Sequence, residues 1–327
     1  MVSFAIVSFA NVRSPVDTVI IDTDCGVFGD DGSAIVMLAH SPEKVRVAGI
    51  TVVTGNVWAA QSAGYVREIG ALVKHPEWKP AIGAQLPLTH TAALARLEPS
   101  IEFQGAFSEP PVIAPPPART AINVMAEEIQ AAPGQVTILA LGPMTNVAIL
   151  LRQHPDLETK IRRIVFMGGN VHVGGNASPA AEFNFWFDPE AAQIVLRSKI
   201  PEKVMFPLDI CNRAVLTKAL FDQVASAKTG VAARYREDLG QRYPGFLNKP
   251  DAKGYLWDEL AAAWLLDTEF VTAEETSHLD VDTRFGASYG ATTKLDRKLA
   301  PDATPVRVML DLDFARLFAL YRRLMTQ

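Results

Sequence analysis

Short apolar runs alternate with longer amphipathic stretches through most of this chain. Val19-Ile20-Ile21 is continuous and β-branched, the pattern of a strand buried on both faces. It ends in Asp22-Thr23-Asp24; a glycine-containing loop follows, and Ala34, Ile35 and Leu38 then mark a helix. A second strand is predicted over about 45–53, stopping at Thr54-Gly55-Asn56, with a helix from Trp58 through Tyr65 to about Lys74. Residues 76–118 are rich in Pro and Gly and end in Pro115-Pro116-Pro117, a surface excursion of the length that often serves as a lid. The rhythm then resumes with a helix over 121–131, a strand over 136–141 broken at Gly142-Pro143, a helix from near Thr145 to His154-Pro155, and a buried strand over 161–167 stopped by Gly168-Gly169. Beyond about 212, helices are predicted over 216–227, 231–240 and 258–266. Two late strands, near 278–283 and 306–310, precede a closing amphipathic helix over 314–325.

Strands and helices alternating in this way predict an α/β fold, an open and mostly parallel Rossmann-like sheet flanked by helices. The C-terminal half is expected to be the more helical. No internal repeat or low-complexity linker interrupts the pattern, so residues 17–327 are expected as one domain behind a leader, residues 1–16.

Composition narrows the partners. The 327 residues carry a net charge of −5 and are 49% hydrophobic, with pI near 5.7 and mean hydropathy +0.12. Such a balance gives no electrostatic reason to expect nucleic acid or an anionic membrane as partner. No apolar run reaches the roughly 18 residues of a membrane span. The two cysteines, Cys25 and Cys211, exclude a disulfide scaffold and give no zinc-type spacing. A reduced, cytoplasmic compartment is therefore expected. The apolar start MVSFAIVSFA lacks a basic flank and reads as a leader into the first strand; as a signal remnant it would instead imply secretion or a periplasmic site.

The polar residues concentrate where a parallel sheet binds ligands, just beyond the carboxyl ends of its strands. Asp22, Asp24, Asp30 and Asp31 follow the first strand and Asn56 the second; Asn170, Asn176, Glu182, Asn184 and Asp188 follow the strand over 161–167. Carboxylates crowded into one crevice repel one another unless a cation sits between them. Hard oxygen donors in such number suit Ca²⁺ or Mg²⁺, and the interleaved carboxamides suit a polyhydroxylated ligand. Plainer readings stand beside these. Asp30 and Asp31 sit where a helix begins and serve equally as caps. Asp188 before Pro189 reads as a cap, Asn170 as a turn residue, and His154 as a helix end. His172 is a marginal site candidate, and Cys25 a loop thiol without an evident base. Phe183, Phe185, Trp186 and Phe187 read as core or as a stacking surface for a base.

These residues also carry a family signature. Asp22-Thr23-Asp24-Cys25-Gly26 with Asp30-Asp31 resembles the amino-terminal aspartate motif of the nucleoside hydrolases. Gly49-Ile50-Thr51 with Thr54-Gly55-Asn56, and Leu141-Gly142-Pro143-Met144-Thr145-Asn146, resemble its next blocks. Gly175-Asn176-Ala177, Ala181-Glu182-Phe183-Asn184 and Asp188-Pro189-Glu190-Ala191-Ala192 resemble the most specific one. Trp257-Asp258-Glu259-Leu260-Ala261 and Tyr289-Gly290-Ala291-Thr292-Thr293 are similar to the late blocks. The resemblance covers about 18–325 in order. It implies a calcium-dependent hydrolase of the N-glycosidic bond of ribonucleosides, acting on a small-molecule nucleoside and assembled as a homo-oligomer. By position, Asp24 would be the general base and touch the metal. Asp31, Asp258 and the Leu141 carbonyl would ligate Ca²⁺. Asp30, Asn176, Glu182 and Asn184 would bind the ribose hydroxyls, with Asn56 beside the water and sugar. Phe183 and Trp257 would stack on the base.

Two departures from the family pattern bear on this. Five residues, not three, separate Asp24 from Asp30-Asp31, so Phe28-Gly29 reads as an insertion able to displace both acids. Trp257 stands where many members carry histidine, and an indole cannot supply a proton at neutral pH. The family's histidine-bearing segment in the long excursion is also replaced, here by Phe103-Gln104-Gly105-Ala106. Two rivals follow: a metal- and ribose-binding protein that has lost turnover, and a metal-dependent phosphoesterase, the latter without histidine ligands or a phosphate-cradling glycine loop.

Overall fold

The computed structural model describes residues 16–26, 28–97, 104–115, 117–242 and 244–327. The leader expected up to residue 16 lies, apart from Val16, outside the described residues, as does Phe103.

β1 (Asp17–Thr23) is flanked by β2 (Val45–Val52) and β4 (Val136–Ala140), with β3 (Ala81–Ile82) outside β2 and β5 (Arg163–Met167) and β6 (Lys203–Phe206) continuing beyond β4. All these pairings are parallel. Val306–Leu312 then adds in parallel to β6, and Val271–Ser277 closes the edge antiparallel to it. The order 3-2-1-4-5-6 followed by these two strands is the mostly parallel sheet that the sequence predicts. The chain order reverses between β1 and β4, so the crevice beyond their carboxyl ends is the switch point where such sheets bind ligands.

The β-branched run in β1 explains why the sheet is covered twice. Val19 and Ile21 enter one core with the helices Asp30–Ala39, Ala59–Leu72, Asp258–Leu266 and Phe314–Met325. Ile20 points into the other, with Ala121–Ala131, Thr145–Gln153 and Pro189–Leu196. Fully burying each such side chain contributes roughly 1.5–3 kcal/mol.

Several elements depart from the sequence expectation. The helix expected over 216–227 starts later: Val215–Thr217 pairs antiparallel with Lys253–Tyr255, and the helix is Lys218–Ala225, capped by the Thr217 hydroxyl. The sequence pattern does not predict β6, because four residues led by a lysine carry little periodic signal. Lys203 is fully buried and donates to the carbonyls of Leu196, Ser198 and Thr304, which satisfies the buried ammonium group. Nor does the pattern predict Val271–Ser277, since an exposed, acidic edge strand lacks an apolar face. The late strand near 278–283 is only Leu279–Val281, paired with Thr292–Lys294 outside the main sheet.

The inserted Phe28 has a structural use. Its ring is buried and meets Tyr235 edge-on at 6.1 Å. Its backbone N–H donates to Asp238 Oδ2 at 2.9 Å, a carboxylate that also accepts from Arg234 at 2.7 Å. The insertion is thus pinned to the helix Gly230–Arg242.

Candidate active site

The site begins at the end of β1, where three consecutive polar residues take different partners. Asp22 is buried; its Oδ1 accepts from Thr51 Oγ1 at 2.6 Å and Asn146 Nδ2 at 2.7 Å. Burial pushes its carboxyl up to about 7 against those two bonds. Asn146 also donates to the Val52 carbonyl and accepts from the Ala84 N–H, so this pair ties β1, β2 and the following loop together. Thr23 donates its hydroxyl to Asp31 Oδ1. Asp24, also buried, accepts the Asn56 N–H on Oδ2 at 2.6 Å, while its Oδ1 has no partner among the described residues.

Two glycines enclose Asp24. A Cβ on Gly142 would stand 2.8 Å from its Cγ and Oδ1, and one on Gly55 would overlap Oδ2 and lie 2.7 Å from Pro143 Cδ. Only residues without side chains let both loops close this tightly on the carboxylate. Burial, then the nearby Asp31 charge, raises the Asp24 carboxyl well above the usual range.

Asp30 and Asp31 are the first two residues of the helix Asp30–Ala39, whose N-cap is Gly29 without a side-chain cap bond. The capping reading of these two acids is therefore set aside; they stand in the first turn, where unpaired N–H groups favour anions. Asp258 opens a second helix, Asp258–Leu266. Carboxylate oxygens of Asp30, Asp31 and Asp258 all lie within 4.8 Å of one another, so the insertion does not carry Asp30 and Asp31 away from Asp258. Asp24 stands outside this triad but within reach of its field. The Asp258 carboxyl is also held well above the usual range, by burial first and then by Asp31, Asp30 and Asp24. Three acids this close, beside an unpartnered carboxylate oxygen, suit a hard divalent cation, which would supply the missing positive charge.

Against this acidic wall lies a cavity of about 200 Å³. Of the expected site residues, Asp24 and Asp31 alone are absent from its lining, lying buried behind it. Asn184 Nδ2 donates to the Leu141 carbonyl at 2.9 Å and the Met167 carbonyl at 3.1 Å, and Asn176 Oδ1 accepts the Phe183 N–H. Glu182 lines the cavity too, yet its carboxylate already accepts from the N–H groups of Asn184, Gly169 and Phe185. It caps the helix Phe183–Phe187, and burial pushes it up to about 7. Asn56, Phe183 and Trp257 complete the wall, with Trp257 stacked on Tyr255 at 5.9 Å and 10°. Sequence reasoning missed Met167 as a lining residue, the glycine pair around Asp24, and Thr23 as the group that orients Asp31. The Thr-Gly-Asn and Leu-Gly-Pro turns were the available signal for the glycines.

The plainer readings fare well elsewhere. Asp188 caps Pro189–Leu196 and accepts from Thr145 Oγ1 at 2.6 Å and the Leu88 N–H at 3.0 Å. Asn170 bonds its own loop, at the Val173 and Ala180 carbonyls and the Glu182 N–H. His154 ends its helix. Phe185, Trp186 and Phe187 are core. His172 is exposed, 3.3 Å from Glu275, and does not line the cavity. Cys25 is fully buried and its thiol is pushed well up by burial and by Asp31, which disfavours the reactive thiolate.

Acids massed at the switch point of a parallel sheet, facing a small carboxamide-lined cavity, define a hydrolase site for a hydroxyl-rich ligand. Residues 19–319 match the family model described as inosine-uridine preferring nucleoside hydrolase, and the chain belongs to that family. It is 34% identical over 305 residues to the pyrimidine-specific ribonucleoside hydrolase RihA of Salmonella enteritidis, covering 90% of this chain and 94% of that one. Among solved structures it is similar to a purine-preferring ribonucleoside hydrolase from Gardnerella vaginalis, at 25% identity and TM-score 0.76 over 95% of this chain and 98% of that one. An inosine-guanosine nucleoside hydrolase matches at 25% identity and TM-score 0.78, over 94% and 98%. The plant nucleoside hydrolase PpNRh1, at 23% identity and TM-score 0.79 over 95% and 99%, shares the fold. The chain is accordingly a hydrolase that splits ribonucleosides into ribose and free base.

Proposed function

We propose that this hydrolase works with one Ca²⁺ held by Asp24, Asp31, Asp258 and the Leu141 carbonyl, and that Asp24 is its general base. The observation that carries the reading is the buried, unpartnered Asp24 Oδ1 beside three converging carboxylates. A bound Ca²⁺ would orient a water and the sugar hydroxyls and make that water more acidic. Asp24 Oδ1 then takes the proton as the water oxygen bonds to the anomeric carbon. The C–N bond breaks, its electron pair leaves with the base, and the base is released after gaining a proton. Positive charge developing on the sugar, as in other glycoside hydrolyses, is favoured by the surrounding carboxylates. Asp30, Asn56, Asn176, Glu182 and Asn184 hold the ribose in this reading, Glu182 through acceptor capacity left over from its cap bonds. Phe183 closes the cavity on the sugar side, and the Tyr255–Trp257 stack receives the base.

The name of the RihA relative supports pyrimidine ribonucleosides as substrates. Residues 17–327 are taken to act as one catalytic domain, in a homo-oligomer, in the cytoplasm. Among the described residues no helix is long and apolar enough to cross a membrane. Sedimentation of the calcium-loaded protein tests the assembly.

The central test is reducing-sugar release from a panel of ribonucleosides, with and without chelator, for wild type and Asp24→Asn. Chelator-sensitive release that falls by roughly 10²–10⁴-fold in Asp24→Asn is expected for loss of a general base. Release untouched by chelator would remove the metal from the mechanism, and full activity in Asp24→Asn would remove the base.

A further inference from the structure

A second cavity, of about 280 Å³, lies beside the first, and Asp30 and Trp257 line both. Its walls are largely apolar: Leu216, Leu239, Phe246, Tyr255 and Tyr321. One wall differs. Glu259, 2% exposed, lines the chamber, and its Oε2 has no hydrogen-bond partner among the described residues. The Ser33 hydroxyl, also buried and lining the chamber, is turned toward this carboxyl and toward Tyr321 but completes a hydrogen bond to neither. A buried carboxyl oxygen left without a donor costs the fold roughly 1–3 kcal/mol or more. Nothing in the proposed sugar or metal binding uses it.

Resting on the ribonucleoside hydrolase reading above, we infer that this chamber is the base subsite and that Glu259 selects bases bearing an exocyclic amino group. The two cavities divide a nucleoside between them, the smaller for the sugar and the larger for a planar base against the Tyr255–Trp257 stack. Such a division puts the glycosidic bond at the shared wall, beside Asp30 and Trp257. An amino group brings the N–H that Glu259 Oε2 lacks, as carboxylates accept from the amino group of cytosine elsewhere. Uracil offers only a ring N–H flanked by two carbonyl oxygens, which a carboxyl oxygen repels. Discrimination by a site whose buried polar group would otherwise stay unpaired is stronger than discrimination by shape. With pyrimidine ribonucleosides as the substrate class, cytidine is preferred to uridine.

The test compares kcat/KM for cytidine and uridine in wild type, Glu259→Gln and Leu216→Trp. Wild type is expected to favour cytidine by about tenfold, the worth of one buried hydrogen bond. Glu259→Gln, which can turn an N–H toward a carbonyl, is expected to bring the ratio within about threefold. Leu216→Trp narrows the chamber and leaves the carboxylate alone, so it is expected to raise KM for cytidine several-fold while the protein stays folded, at a stability cost of about 1–3 kcal/mol. A wild type that favours uridine, a ratio unmoved in Glu259→Gln, or an unchanged KM in Leu216→Trp overturns the inference. Should Glu259→Gln fail to fold, the wild-type ratio and Leu216→Trp still decide. Quenching of tryptophan fluorescence by free cytosine and uracil separates this from the hydrolase reading. Cytosine binding tighter than uracil without nucleoside turnover supports the chamber and sinks the hydrolysis; turnover with no cytosine preference does the reverse.

Discussion

Replacing Gly55 by alanine places one methyl group against the base of the proposed reaction. The added Cβ would overlap Asp24 Oδ2 and come within 2.7 Å of Pro143 Cδ. The proline ring is backed by its own turn, so the carboxylate has to move. Moving it strains or breaks the 2.6 Å bond from the Asn56 N–H, a charge-assisted bond worth about 1.5–3 kcal/mol. A displacement of about 1 Å at a reacting group costs on the order of 10² in rate. Gly55→Ala is therefore expected to lose about 10²-fold in kcat/KM and to melt lower, as read by sugar release and by thermal unfolding. Gly64→Ala is the control: a Cβ there meets nothing within 4 Å, inside the helix Ala59–Leu72. It is expected to be neutral or stabilising by up to about 1 kcal/mol at full activity. Gly55→Ala retaining activity within about twofold would refute the claim that Asp24 is held in one working position by its glycine walls.

Calcium at about 100 times its Kd is expected to stabilise the protein by about 2.7 kcal/mol, seen as a rise in melting temperature that chelator reverses; no rise would argue against a cation among these acids. Phe28→Ala should cost about 3–5 kcal/mol in denaturant unfolding, as other buried aromatic truncations do, and should weaken calcium binding by loosening the loop into Asp30; a cost under about 1 kcal/mol would show that the insertion is not anchored by its ring. In chelator, stability should fall as pH rises. Burial raises Glu182 to about 7 and Asp188 to about 6, so the folded state holds these protons more tightly than the unfolded chain. Their contribution is full below the unfolded carboxyl values near 4 and is lost as pH climbs through 6 to 7. Melting temperatures across that window check this, and Glu182→Gln should flatten part of the slope; a slope of the opposite sign refutes it.

Much of this site is legible in the sequence. Apolar runs of β-branched residues bounded by Asp, Gly and Asn state both that a strand is doubly buried and where its loop begins, because backbone burial and loop chemistry are local properties. Hence β1, β2, β4 and β5, and the acids and carboxamides beyond them, were placed from residue order alone. Asp188 and Asn170 are likewise readable as a cap and a turn residue, since each makes one of its bonds three residues along the chain, to the Ala191 N–H and the Val173 carbonyl, whereas their bonds to Thr145, Leu88, Ala180 and Glu182 depend on the fold. Other features depend on distance in space. Nothing local shows that Gly55 and Gly142, 87 residues apart in the numbering, close on the same carboxylate. Nor does it show that Asp258 meets Asp30 and Asp31, or that Phe28 docks on Asp238 and Tyr235. The four-residue strand led by Lys203 exists because three carbonyls from other segments receive its ammonium group. Local propensity set the elements and the chemistry available at their ends; packing of remote segments decided which carboxylates share one field and which, like Glu259, are left facing a cavity.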